Sequence, residues 1–184
     1  MTKRFLNRFS AFDLVVITMM AALGVAVKPV VVPLSHIITG PLYIPGGVVA
    51  GGFYMLWIVL GYGLVNKRGT ATLIGLVQAV LVIALGIFGT HGIVSVVTYA
   101  APGVGVDLLY LLLRRGVVTP LHAFLGGAVA NSAGTVLVSF VFFRLPPIPL
   151  LLSLTAAMLS GGLGGLIAYG LLNRLKRFNI FASE

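Results

Sequence analysis

Residues 46–68 read GGVVAGGFYMLWIVLGYGLVNKR, a run free of charged side chains from Gly46 to Asn66 that stops at Lys67 and Arg68. About twenty helical residues rise roughly 30 Å, the thickness of a bilayer's hydrocarbon core. Backbone N–H and C=O groups cannot be left unpaired at that depth, so Gly46 to Val65 is predicted to be a membrane-spanning α-helix that ends on a basic break.

Five more stretches have the same character: about 12–32, 70–88, 93–113, 117–143 and 148–172. Basic tails, 1–11 and 173–184, flank them. With 59% apolar and 8% charged residues and a mean hydropathy of +1.15, the 184-residue chain lacks the polar surface a water-soluble fold needs. The expected fold is an all-α integral membrane protein, a six-transmembrane-helix bundle in a single domain, 1–184. Lys3, Arg4 and Arg8 precede the first apolar run as in a signal peptide, but no small-residue cleavage site follows a short core, so this run is read as the first span.

The net charge of +9 is spread in small groups at segment ends and forms no face for a nucleic acid. Ten of the 12 Lys and Arg residues fall in alternate breaks: Lys3, Arg4 and Arg8; Lys67 and Arg68; Arg114 and Arg115; Arg174, Lys176 and Arg177. Cytoplasmic loops retain Lys and Arg, so both termini are expected in the cytoplasm of a multi-pass protein of a prokaryotic plasma membrane. The opposite breaks hold only Arg144, with Lys28 expected to snorkel outward from a helix end. The first of these breaks, Pro33 to Tyr43, is rich in Pro and Gly and reads as an irregular loop or lid. Ser10 and Asp13 have the spacing of a capping box that starts the first helix.

Chemistry is sparse. There is no cysteine, hence no disulfide, thiolate site or Cys nucleophile. Of the three carboxylates, Asp13 reads as a cap, Glu184 ends the chain, and Asp107 reads as a structural hydrogen-bond or ion-pair residue near Arg114. No P-loop, clustered zinc ligands or rhomboid-type serine motif occurs, so no enzymatic activity, metal site or cofactor is expected. His36 and His91 lie in breaks on the side opposite the basic loops, as interfacial residues or as part of a ligand pocket. Asn131, Thr135 and Ser139 share one helical face, which either bonds helices together or lines a cavity with Ser95, Thr98 and Tyr99. Gln78 and Tyr54 are further groups able to orient a ring-containing ligand. Small residues recur at four-residue spacing: Thr18, Ala22 and Ala26; Gly126, Ala130 and Gly134; Gly161 and Gly165. The last two sets read as internal packing.

Six spans, cytoplasmic termini, fewer than 200 residues, an irregular first outer loop and the Ala22-xxx-Ala26 pair together resemble the substrate-binding S component of an energy-coupling factor (ECF) transporter, over nearly the whole chain. The resemblance implies a protein that captures a vitamin or related micronutrient from outside. It also implies partners: a transmembrane T component, contacted through Ala22 and Ala26, and two ATPase subunits that power uptake. It implies an outer ligand site with His36, Thr39, Tyr43, His91, Tyr99, Asn131 and Thr135 as candidates. Without a His-rich N-terminus or an acidic pocket residue, a free metal ion or thiamine-like cation is disfavoured; the outer Lys28, His36, His91 and Arg144 instead suit a neutral or anionic ligand, up to a corrinoid in size. The competing reading is a non-transport six-helix protein, such as a small channel or assembly factor.

Overall fold

The computed structural model describes residues 7–42, 44–86 and 92–178. Six main helices follow in order: α1 (Ala11–Thr39), α2 (Gly46–Val65), α3 (Thr70–Leu85), α4 (Ser95–Leu113), α5 (Pro120–Val138) and α6 (Pro147–Arg177). A 3-10 turn, Gly40–Leu42, follows α1, and a π-helical segment, Ser139–Phe143, extends α5. Five of these units are long and apolar enough to cross a bilayer; α3, with 16 residues, is the short one.

Local signals set the boundaries. Asp13 and Ser10 form the capping box, each side chain accepting from the other residue's N–H at 2.7 and 3.1 Å. The α5 helix begins at Pro120 and not at Val117 because the Thr119 hydroxyl accepts from the His122 N–H and Pro120 presets the first turn. Gly86, at φ +57°, caps α3 after Leu85, three residues short of the expected end. The last helix outruns its expected end at Leu172 as far as Arg177, its final turn carrying Arg174, Lys176 and Arg177 where the helix dipole favours cations.

The largest correction concerns the first outer break. The α1 helix does not end at Val32 but continues through Pro29 and Pro33 to Thr39, so much of the expected lid is helix. Two prolines one turn apart delete donors on the same side, a loss that neighbouring helices make tolerable in membrane proteins.

The helices close a ring in the order α1, α2, α6, α5, α4, α3, with α2 displaced inward so that it also meets α3, α4 and α5. Its Ile58 and Val59 are fully buried, as are Ile74, Val106 and Leu172 from neighbouring helices. Close backbone approach holds the ring. A Cβ at Gly161 would run into the Gly127 carbonyl and the Asn131 side chain, and one at Gly164 into the Gly52 backbone. At the same crossing the Gly52 N–H donates to the Ser160 hydroxyl at 2.9 Å, and that hydroxyl donates to the Val49 carbonyl.

Both internal carboxylates work at the end of the bundle that carries the basic breaks. Asp13 pairs with Lys67. The Asp107 carboxylate accepts from Gly69 N–H at 3.0 Å, Thr72 N–H at 2.8 Å and the Thr72 hydroxyl at 2.6 Å, so α4 caps the positive end of α3 from outside it. This is the structural hydrogen bonding anticipated for Asp107, directed at α3.

Gly161→Val should lower the thermal unfolding midpoint of the detergent-solubilised protein, by an overpacking penalty of at least about 1–3 kcal/mol. Gly170→Ala, where an added Cβ meets nothing within 4 Å, should leave it unchanged or slightly raised. Equal effects would remove the close-approach account of the α5–α6 seam.

Candidate functional site

A cavity of about 570 Å³ opens at the end of the bundle away from the basic breaks. The α1 helix contributes Lys28, Val32, Pro33 and His36 to its wall; the start of α2 contributes Pro45 to Val48, and about two turns further in Tyr54 and Met55. Gln78 comes from α3, Thr98, Tyr99 and Pro102 from α4, and Asn131, Thr135, Val138 and Ser139 from α5 and its π segment. A π segment widens a helix and redirects its side chains, and here it puts Ser139 and Phe143 on the rim. Toward the basic end the cavity gives way to the dry core around Ile58, Val59, Ile74 and Val106.

The strongest charge in this cavity is Lys28. Its ammonium lies 3.8 Å from the centre of the Tyr99 ring and 4.4 Å from that of Tyr54. The Tyr54 hydroxyl donates to the Gly47 carbonyl, which pins one ring in place. Each such contact stabilises a desolvated cation by roughly 2 kcal/mol. The expectation that Lys28 snorkels outward is therefore corrected. Because α1 continues to Thr39, Lys28 sits about three turns from the helix end instead of at it, and its stem reaches the interior rings more readily than the interface. Among the described residues no carboxylate reaches it: Asp13 and Asp107 are engaged at the opposite end.

The structure brings four of the expected residues, His36, Tyr99, Asn131 and Thr135, to this one cavity. Thr39 is not on its wall; it is buried with its hydroxyl donating to the Ser35 carbonyl at 3.0 Å. Tyr43 and His91 lie outside the described residues. His36 accepts from the Gly46 N–H through Nδ1 at 3.4 Å, tying the end of α1 to the start of α2. Asn131 spends its amide on the scaffold, donating to the Val48 carbonyl at 2.8 Å and the Ala157 carbonyl at 3.0 Å, so it clamps α5 to α2 and α6 beneath the cavity. Gln78 is the converse case: it is 3% exposed, and its Nε2 has no hydrogen-bond partner within the protein. Tyr54, Gln78, Thr98 and Ser139, which the sequence offered as cavity-lining or ligand-orienting groups, also stand in the wall, and so does Lys28, expected there only as an outer cation. The signal available for Lys28 was its position, a cation inside an apolar helix, which marks function by default.

The family described as "ABC-type cobalt transport system, permease component" matches residues 12–133. The chain belongs to this family. The permease's fold is also that of a crystal structure described as an S-component of an ECF transporter, with a TM-score of 0.78 at 19% sequence identity, over 94% of this chain and 88% of the other. No curated protein matches it. Its several apolar spans make this permease a multi-pass protein of the plasma membrane.

If Asn131 is a clamp, Asn131→Ala should destabilise the ligand-free protein by about 1–3 kcal/mol, and Asn131→Asp by more, because it sets carboxylate oxygens against two carbonyls. Thermal unfolding without ligand measures both. An unchanged midpoint in each variant would return Asn131 to the role of a ligand contact only.

Proposed function

We propose that this permease is the substrate-binding S component of an ECF-type importer. It takes a small organic solute from the outer face and delivers it through a T component driven by two ATPase subunits. The observation that carries this reading is the single-ended cavity within a bundle of the S-component fold. Its polar wall stops at Gln78 and Asn131, and the apolar plug below it is what a carrier that occludes its ligand needs; a channel needs a polar path across the membrane. The chain itself is assigned no catalysis.

The family's description names cobalt, and two features favour an organic ligand over a free cation. A Lys28 ammonium in the wall repels a divalent ion, and no group of three metal-ligating side chains comes together among the described residues. A cavity of about 570 Å³ suits a compact vitamin-sized molecule better than a corrinoid.

The bias of ten basic residues toward one end supports cytoplasmic termini, with the cavity facing outward. A reporter active only in the cytoplasm, fused after Glu184, should give signal; activity only from an exported reporter would invert the assignment.

Docking is assigned to α1. Ala22 and Ala26 are exposed on the outer surface of the bundle, together with Thr18, and bulkier Val15, Met19 and Val30 are exposed beside them. The glycine seams of α5 and α6, by contrast, are buried. A shallow notch of this kind admits the backbone of a partner helix. Replacing both alanines with Leu should abolish ATP-dependent uptake and co-purification with the T component while the unfolding midpoint stays within a degree or two. A collapse in stability would show the pair to be internal packing.

A further inference from the structure

Two donors in the wall of the cavity, the part-buried Lys28 ammonium and the buried Gln78 amide, lack acceptors among the described residues. The Lys28 ammonium is held between the Tyr54 and Tyr99 rings, whose faces supply negative potential but no hydrogen-bond acceptor for its three N–H groups. The Gln78 amide nitrogen, from the facing helix α3, is also unpaired: it lies against the α1 backbone at Gly24, while the Gln78 side chain forms part of the same wall. A buried cation is tolerated when an anion or several acceptors complete its shell. Among the described residues the acids are committed at the far end of the bundle: Asp13 to Lys67, and Asp107 to the start of α3.

We infer that the ligand of this cavity is a compact organic anion, whose carboxylate or phosphate oxygens take the Lys28 ammonium and the Gln78 amide while its body lies against Met55, Pro102 and Val138. This rests on the reading of the cavity as the substrate site and adds the charge class of the substrate. The rings give the arrangement its economy. They hold the ammonium in a defined place when the site is empty, without supplying a counter-charge that an incoming anion must displace. The same arrangement selects against cations, since an arriving positive charge meets Lys28 and finds no carboxylate to offset it.

The test uses the purified full-length protein and matched aromatic probes: benzoate against benzamide, and phenyl phosphate against benzyl alcohol. Thermal unfolding is followed across a concentration series, so that stabilisation reports affinity. In the wild type one anion should bind on the order of 10- to 100-fold more tightly than its neutral twin, the range expected of a charged hydrogen bond. Whether benzoate or phenyl phosphate shows it separates a carboxylate from a phosphate ligand. Lys28→Met keeps the stem's bulk and controls for uptake of aromatic probes into detergent; it should reduce the anion preference to about onefold, while Arg115→Met, at the exposed basic end, should keep it. Without probe, Lys28→Met should unfold close to the wild-type midpoint, since the ring contacts it loses and the desolvation cost it removes oppose one another. If Lys28→Met does not fold, Lys28→Gln replaces it with the same expected loss of preference.

Equal stabilisation of the wild type by neutral and anionic twins, or an anion preference that survives in the Lys28 variants, overturns the inference. So does a marked fall in the ligand-free midpoint of Lys28→Met, which would mean that the ammonium is already satisfied within the protein. These outcomes leave the S-component reading untouched, because that reading stands or falls on co-purification with the T component.

Discussion

Apolar side chains gain little by leaving lipid for one another, so the bundle depends on how closely its helix backbones approach. Gly127 against Gly161, and Gly52 against Gly164, bring α5 and α2 onto α6 at distances where no side chain fits. At those distances dispersion contacts multiply, and polar groups of one helix reach the backbone of the next. Ser160 and Asn131 do so, bonding to Val49 and Gly52 and to Val48 and Ala157. The tight half of the molecule, α2, α5 and α6, is thus a scaffold on which the cavity floor is set.

The two ends of the bundle use charge in opposite ways. At the basic end each internal carboxylate is satisfied by the protein, Asp13 by Lys67 and its own capping box, Asp107 by the N–H groups at the head of α3. At the other end a cation is placed between two aromatic rings with no counter-ion among the described residues. A site closed on itself fixes structure. One left incomplete favours whatever completes it, and that difference is the physical basis for proposing the cavity end as the ligand-binding end.

Six apolar helices, five of them long enough to span a bilayer, their basic breaks and the Ser10–Asp13 cap were legible in the sequence because each follows from local rules: the apolar length needed to cross hydrocarbon, the placement of Lys and Arg, and the geometry of a first helical turn. The alternation of Asn131, Thr135 and Ser139 with Thr98 and Tyr99 also marked a polar region on two helices. What sequence left open was the use of each group. An asparagine that spends its amide on two carbonyls and a glutamine that leaves its amide unpaired look alike in one dimension. Proline misled for a related reason: Pro29 and Pro33 read as a break in isolation, yet packing against α2 and α3 carries α1 on to Thr39.

Composition and periodicity by themselves determined that this is a six-helix membrane protein with its positive charges gathered at alternate breaks, since bilayer thickness and the cost of unpaired backbone groups permit little else. Tertiary structure alone decided where Lys28 goes. Its destination depends on the length of α1 and on two rings from helices 26 and 71 residues further along the chain, Tyr54 and Tyr99, meeting at one depth. That convergence is set by packing between distant segments, and no local pattern around residue 28 encodes it.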